Sequence, residues 1–148
     1  MNNLRLRHVE ENDIELIFNW SNEKEVRKNS FHTEPIKWEE HVNWFKKVIN
    51  DTNVCFFILE NNEKPIGQIR IKFDDENKGI ISFSISKEFR GLGFGKEILK
   101  LTEAEISKKC KLIGFVKIDN IASQRAFIIN EYKKVKQDKK SIEYAKDI

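Results

Sequence analysis

A chain of 148 residues is long enough for one ordinary hydrophobic core and short for two. With 39% hydrophobic and 34% charged residues its composition is that of a soluble globular protein. No apolar run reaches the ~20 residues of a membrane helix, and a net charge of +3 falls short of the basic stripe of a nucleic-acid binder while suiting a small anionic ligand. The first residues, MNNLRLRHVEEND, lack the apolar segment of a signal peptide. The two cysteines, Cys55 and Cys110, form no CxxC pair and no ligand cluster with the three histidines. The expectation is one cytoplasmic domain over residues 1–148, with no disulfide, metal, membrane or nucleic-acid partner.

In chain order, LRLRHV (Leu4 to Val9) alternates apolar and basic residues as a half-buried strand does. Two short helices are predicted over Asp13 to Trp20 and Glu23 to Asn29. A third runs over Trp38 to Ile49, with Trp38, Val42, Phe45 and Ile49 on its apolar face. VCFFILE (Val54 to Glu60) reads as a central strand. IGQIRIKFD and IISFSIS alternate after turns at ENNEKP and DENKG, which predicts an antiparallel meander. A glycine-rich stretch leads into a helix ending near Ser107. KLIGFVKI (Lys111 to Ile118) is another buried strand, and Asp119 to Asn130 a helix with Ala122, Ala126 and Ile129 on one face. YKKV and SIEYAKDI supply a last pair of strands, and the lysines of KKVKQDKK read as a solvated surface or edge strand. The order β, α, α, α, β, β, β, α, β, α, β, β predicts an α/β sandwich with a mixed sheet.

The glycine stretch is EFRGLGFGKEIL, where Gly91, Gly93 and Gly95 fall between Arg90 and Lys96 and just ahead of a helix. A helix start has unpaired N–H groups and a partial positive charge, and glycine lets a backbone approach a phosphate closely. A pyrophosphate fits there. The spacing matches neither the Walker pattern nor GxGxxG. From the glycines alone, a phosphate cradle and a plain tight turn both stand.

Arg90-Gly91-Leu92-Gly93-Phe94-Gly95 resembles the R/Q-x-x-G-x-G/A acetyl-CoA motif of the GNAT superfamily of N-acyltransferases. DNIASQRAF (Asp119 to Phe127) is similar to that family's N-x-x-S/A-x-x-x-Y/F segment, and the element order agrees along nearly the whole chain. The resemblance implies a GNAT fold: a twisted, mostly antiparallel mixed sheet of six to seven strands, flanked by helices and splayed between strands 4 and 5. It implies acetyl-CoA as co-substrate. Phe83, Ser84 and Ile85 would pair with pantetheine, and the amides from Arg90 to Gly95, with Lys96 beside them, would hold the pyrophosphate. Asn120 would bond the pantetheine arm, Ser123 would lie near the thioester sulfur, and Phe127 would pack beside it. Asn120 also suits a plain helix N-cap, and both roles can hold.

The chemistry so implied is direct attack of a neutral amine on the thioester. Many relatives place a Tyr acid where this chain has Phe127, and some a Glu base where it has Phe115. Ser123 or water is left to protonate the thiolate, and a water chain or His32 to take the amine proton. Cys55 lies within an apolar strand and reads as core, and Cys110, between two lysines, as a surface thiol at a helix end. Glu131-Tyr132 stands where the family has Gly-Phe, so either Glu131 is strained or the turn differs, which bears on the last two strands.

The acceptor pocket should come from the N-terminal helices and C-terminal strands. Trp38 and Phe45 read as core, whereas Trp20, Arg27, Asn29 and His32 lie near turns and are the pocket candidates. W-x-N-x-x-x-V-R, then S-F, E-P-I and W-x-x-H-x-x-W-F, resembles GNAT domains of sugar-nucleotide pathways of the pseudaminic-acid type, which implies a UDP-linked 4-amino-dideoxy sugar as acceptor. A protein N-terminal or ribosomal-protein acceptor and a small polyamine are the alternatives within the family. Outside it stand a non-catalytic CoA-binding module and an unrelated nucleotide-binding module. Pairing into a homodimer through the C-terminal strands is open.

Overall fold

A computed structural model describes residues 3–148. It places strands β1 (Leu4–His8), β2 (Val54–Asn61), β3 (Lys64–Phe73), β4 (Lys78–Ile85), β5 (Lys111–Lys117), β6 (Lys133–Gln137) and β7 (Ser141–Asp147). The helices are α1 (Ile14–Ser21), α2 (Lys24–Asn29), α3 (Trp38–Ile49), α4 (Phe94–Glu105) and α5 (Ile121–Ile129). This is the predicted order. No helix among the described residues is long and apolar enough to cross a membrane.

The strands form one open seven-stranded sheet in the order β1-β2-β3-β4-β5-β7-β6. Every neighbouring pair is antiparallel except β4 and β5. β3 begins at Lys64, ahead of the predicted Ile66, because Asn62 and Glu63 both take positive φ (51° and 68°) and close a two-residue hairpin. The second turn is built on Asp74, whose carboxylate accepts the backbone N–H groups of Glu76 and Lys78 at 2.8 and 2.9 Å. The lysine-rich β6 is an edge strand, exposed along its length.

Two cores cover the two faces of the sheet. On one, α4 and α5 pack Phe94, Ile98, Leu99, Ala126 and Phe127 against Ile69, Ile71, Ile81, Leu112 and Val116. On the other, Ile17 of α1 and Phe45 of α3 cover Phe56 and Ile58 of β2. The buried line of α3 runs through His41 and Phe45, not through the predicted Trp38, which is 45% exposed. His41 donates its Nε2–H to the Ile14 carbonyl at 2.7 Å, and burial pushes its pKa down, so it stays neutral and ties α3 to α1. On α5, Ala126 and Phe127 are buried while Ala122 and Ile129 are exposed, which shifts the packing face from the predicted stripe. Cys110 is buried rather than a surface thiol; burial raises its pKa against the lowering effect of Lys108.

Glu131 takes φ 69°, so the strain expected of a side chain at this position is present, yet β6 and β7 form normally. The end of α5 is a Schellman motif: Tyr132 N–H bonds the Phe127 carbonyl at 3.0 Å and Glu131 N–H bonds the Ile128 carbonyl at 3.0 Å. The Tyr132 ring meets the Phe127 ring edge-on at 5.0 Å, closing the motif with an apolar contact.

At the sheet edge, Arg7 pairs with both oxygens of Asp13 at 2.8 and 2.9 Å and with Glu60 at 2.9 Å, and Arg5 takes the other Glu60 oxygen. Burial alone would raise the two carboxyls. The guanidinium bonds outweigh it, and both titrate below the usual range. A lowered folded-state pKa contributes stability that is present above the unfolded value of roughly 4 and is lost as pH falls through the folded value.

Two outcomes are expected. Glu131→Gly relieves a left-handed side chain at the cost of a more flexible unfolded chain, and should stabilise by about 0.5–1 kcal/mol, a rise of ~2–4 °C by calorimetry. The wild-type melting point should fall as pH drops from 5 to 3, whereas Arg7→Met, which leaves Asp13 buried without its cation, should flatten or reverse that slope.

Candidate active site

β4 and β5 run side by side only from Lys78↔Lys111 to Ile81↔Gly114. Beyond that point they part. Residues 82–85 stay paired with β3, and Phe115 to Lys117 stay paired with β7. Phe127 packs beneath the fork: a Cβ built on Gly114 would sit 2.2 Å from its Cζ, so only glycine admits the ring. Phe83 meets the same ring edge-on at 5.7 Å, and Tyr144 stacks on it at 5.5 Å.

The end of β4 leads through a single 3₁₀ turn into the glycine stretch. Gly91 and Gly93 take φ 76° and 86°, a region costly for other residues, and Gly93 is the N-cap of α4. The first helical bond runs from Glu97 N–H to the Gly93 carbonyl at 3.3 Å, which leaves the amides of Phe94, Gly95 and Lys96 without intrahelical acceptors. Their dipoles add up at the mouth of a cleft. Arg90 is committed to the frame: its Nε donates to the Ile85 carbonyl at 3.0 Å and its Nη2 pairs with Glu23. Lys96 lines the cleft and makes only a loose contact with Glu97 at 3.8 Å.

The facing wall is the start of α5. Asn120 caps it, its Oδ1 accepting Ser123 N–H at 3.3 Å. Ser123 lies in the cleft, and its hydroxyl has no protein partner among the described residues. Gln124 braces the wall by donating to the Ile118 carbonyl at 2.8 Å. The third wall is α2, with Val26, Asn29 and Ser30 facing in, and Lys117 at the end of β5 reaches across to the Lys28 carbonyl at 3.0 Å. The space enclosed is about 630 Å³, within the range of small-molecule sites.

Of the residues singled out in the sequence, Phe83, Ser84, Ile85, Arg90, Gly91, Gly93, Phe94, Gly95, Lys96, Asn120, Ser123 and Asn29 come together on this cleft. Five do not. Leu92 is 54% exposed outside it, because the left-handed glycines on either side turn its side chain outward. Phe127 is sealed beneath it, 2% exposed. Trp20 packs on the core between α1, α3 and the sheet. Arg27 spends its guanidinium on the carbonyls of Ser21 and His32, both at 2.7 Å, with Ser30 Oγ at 3.2 Å, and so holds the loop after α2 instead of facing a ligand. His32 is exposed on that loop and does not line the cleft.

The sequence reading missed Val26, Lys28, Ser30, Asp119 and Arg125. For Arg125 a signal existed, since Ala122, Arg125 and Ile129 recur at helical spacing and line the cleft together. For α2 none did; a six-residue helix with no buried residue has no readable face.

The chemistry on offer is narrow. Tyr132 and Tyr144 are buried behind Phe127, and burial raises the pKa of both, with Glu103 adding to the effect on Tyr132. Neither lines the cleft. Burial likewise raises Cys55 against the pull of Lys108, which disfavours a thiolate nucleophile. No group of three or more His, Cys, Asp or Glu placed to hold a metal ion occurs among the described residues. What remains is a helix start with amides open to the cleft, facing a hydroxyl across a forked sheet.

The model of the acetyltransferase (GNAT) domain family matches residues 3–128. Among curated proteins, the uncharacterized protein MJ1062 of Methanocaldococcus jannaschii is 26% identical over 144 residues, covering 92% of this chain and 29% of that protein. The uncharacterized N-acetyltransferase MJ1530 of the same organism is 32% identical over 76 residues, 49% of each chain. The chain thus spans less than half the length of either relative. Among solved structures, a Methanocaldococcus jannaschii domain superposes with a TM-score of 0.84 at 22% identity, covering 98% of both chains. Vibrio cholerae spermidine N-acetyltransferase in complex with CoA and spermine gives 0.84 at 17%, covering 99% of this chain and 96% of that one. Campylobacter jejuni N-acetyltransferase PseH gives 0.71 at 18%, covering 98% of both. These likenesses carry the fold, and the family match carries the membership: the chain belongs to the GNAT family, and its residues 3–128 are an N-acetyltransferase domain.

Proposed function

We propose that this cleft binds acetyl-CoA and that the chain transfers the acetyl group directly to the amine of a UDP-linked 4-amino-dideoxy sugar. The observation that carries the first half is the start of α4, where three unpartnered amides behind two left-handed glycines open onto the fork between β4 and β5. In the proposed complex these amides and Lys96 hold the pyrophosphate. Pantetheine enters the fork beside Phe83, Ser84 and Ile85, and Asn120, already the cap of α5, meets the arm.

The reaction needs three things of the chain. A backbone amide of β4 polarises the thioester carbonyl. The amine arrives neutral, its proton passing to water, since His32 is off the cleft and His41 is consumed by Ile14. The thiolate takes a proton through Ser123, which lies on the correct wall with no protein partner among the described residues and relays a proton from the water that received the amine's.

The acceptor class rests on the pocket's charge and on the sugar-pathway resemblance of Asn19 to Phe45. Lys28, Lys96 and Arg125 line the cleft against Glu25 and Asp119. That balance suits a diphosphate-bearing acceptor and works against a polyamine, whose several positive charges need a surplus of carboxylates.

Acetyl-CoA and CoA should raise the melting point by mass action, while ATP and NAD should not. Loss of the acetyl-CoA shift would return the glycines to a plain turn. Gly93→Ala, which forces a side chain into the left-handed region at the cap, should weaken acetyl-CoA at least tenfold by titration calorimetry. Ser123→Ala should lower kcat by about 10²-fold with the KM for acetyl-CoA within threefold; an unchanged kcat would assign the thiolate proton to water. Turnover of a UDP-amino sugar, compared with spermidine and an N-terminal peptide, tests the acceptor.

A further inference from the structure

We propose that Arg70 is the anion-binding residue of the acceptor subsite, its guanidinium receiving a carboxylate or phosphate oxygen of the molecule whose amine is acetylated. This rests on the amine-acceptor reading of the cleft given above.

Arg70 lies on β3 opposite Ser82 of β4, and Gln68 lies opposite Ser84. Residues two apart on a strand share a face, so Arg70, Gln68, Ser82 and Ser84 all point to the α1–α3 side. Ser84 lines the cleft and accepts from Gln68 Nε2 at 3.3 Å. Arg70 is its diagonal neighbour across the strand pair, ~7–8 Å away and within reach of a long side chain. Arg70 does not itself line the cleft, so the proposed subsite extends beyond it from Ser84 along the same face of the sheet.

The surroundings of Arg70 are unusual for this chain. Its Cζ sits 4.8 Å from the centre of the Trp44 ring and 5.8 Å from that of Phe56. The guanidinium is deep among protein atoms, and burial pushes its pKa down with no carboxylate to offset the effect. The residue nevertheless keeps some contact with solvent. Arg5, Arg7, Arg27 and Arg90 each donate to a protein oxygen. Arg70 and Arg125 donate to no protein acceptor among the described residues, but Arg125 is exposed to water whereas Arg70 is half-buried. Arg70 also forms no ion pair among those residues.

A buried charge is stable when it is paired and hydrogen-bonded. Two ring faces supply part of that compensation. They leave the N–H donors unmet by any protein oxygen among the described residues, and a guanidinium has the fork of donors that suits bidentate carboxylate or phosphate recognition. Arg27, the arginine among the pocket candidates in the sequence, is spent on backbone carbonyls. Lys72 shares this face of β3 but lies exposed near the far end of the strand, which leaves Arg70 as the cation of the strand nearest Ser84.

The test uses the full chain loaded with CoA. The probes are UDP, inorganic pyrophosphate and succinate, with uridine as the uncharged control, followed by calorimetry and by the Nε–Hε NMR resonance of Arg70. At least one anion should shift that resonance. Arg70→Gln should weaken the same anion by 10- to 30-fold while leaving CoA within twofold, and Arg70→Lys should recover part of the loss. UDP and pyrophosphate binding without succinate identifies a phosphate ligand, and the reverse a carboxylate. The proposal is overturned if no anion moves the resonance, or if Arg70→Gln binds every anion as the wild type does. A role in packing Trp44 alone would lower the melting point and leave anion affinity untouched. Should Arg70→Gln not fold, the wild-type NMR titration decides by itself. A UDP-amino sugar that is not acetylated, while UDP or succinate still reaches Arg70, removes the sugar and keeps the arginine. One that is acetylated with equal KM by the wild type and Arg70→Gln removes the arginine and keeps the sugar.

Discussion

The contact of Phe127 with Gly114 sets the position of almost everything else at the site. A ring replaces a side chain on β5, so α5 approaches the sheet more closely than any other residue at 114 would allow. That approach fixes where α5 begins and therefore where Asn120 and Ser123 stand. The same ring touches Phe83 of β4, and so braces the strand that turns away. Interiors pack at crystal density, so such a wedge cannot shift by an ångström without disturbing Tyr132 and Tyr144 on its other sides. The fork in the sheet is a packing result before it is a binding site.

The loss of a hydroxyl at position 127 reads differently in that light. A tyrosine acid must reach the cleft, whereas this phenylalanine serves from beneath it. On the helix start above, Ser123 lies in the cleft and is the group proposed for the proton transfer. In the proposed mechanism support and proton transfer thus fall to two residues, Phe127 below and Ser123 above.

Most of the fold was legible because it is written in short-range patterns. Strict alternation in IGQIRIKFD and the apolar run of VCFFILE each leave one strand assignment. The α4 start was legible for the same reason, since left-handed glycines announce themselves. Failures came where a polar residue behaved as core. His41 is a polar residue beside an apolar stripe, yet with its bond to the Ile14 carbonyl it is the most buried position of α3 after Phe45. Arg27 failed in the opposite sense: its charge suggested a ligand, and its carbonyl partners are visible only once the loop after α2 closes. Arg70 alternates with Ile69 and Ile71 on the polar side of its strand, and nothing local reveals that Trp44, 26 positions earlier in the numbering, lies beside it.

The walls of the cleft differ in how they are anchored. α4 and α5 are fixed by buried side chains, but α2 has none, and it is held by the bonds of Arg27 and by the reach of Lys117 to the Lys28 carbonyl. Polar contacts near solvent are worth about 1 kcal/mol each, so this wall can detach at a small fraction of the cost of unfolding the sheet. The cleft is in that sense a rigid half and a hinged half. A bulky ligand need not thread a closed fork, because the half built from residues 24–29 yields first.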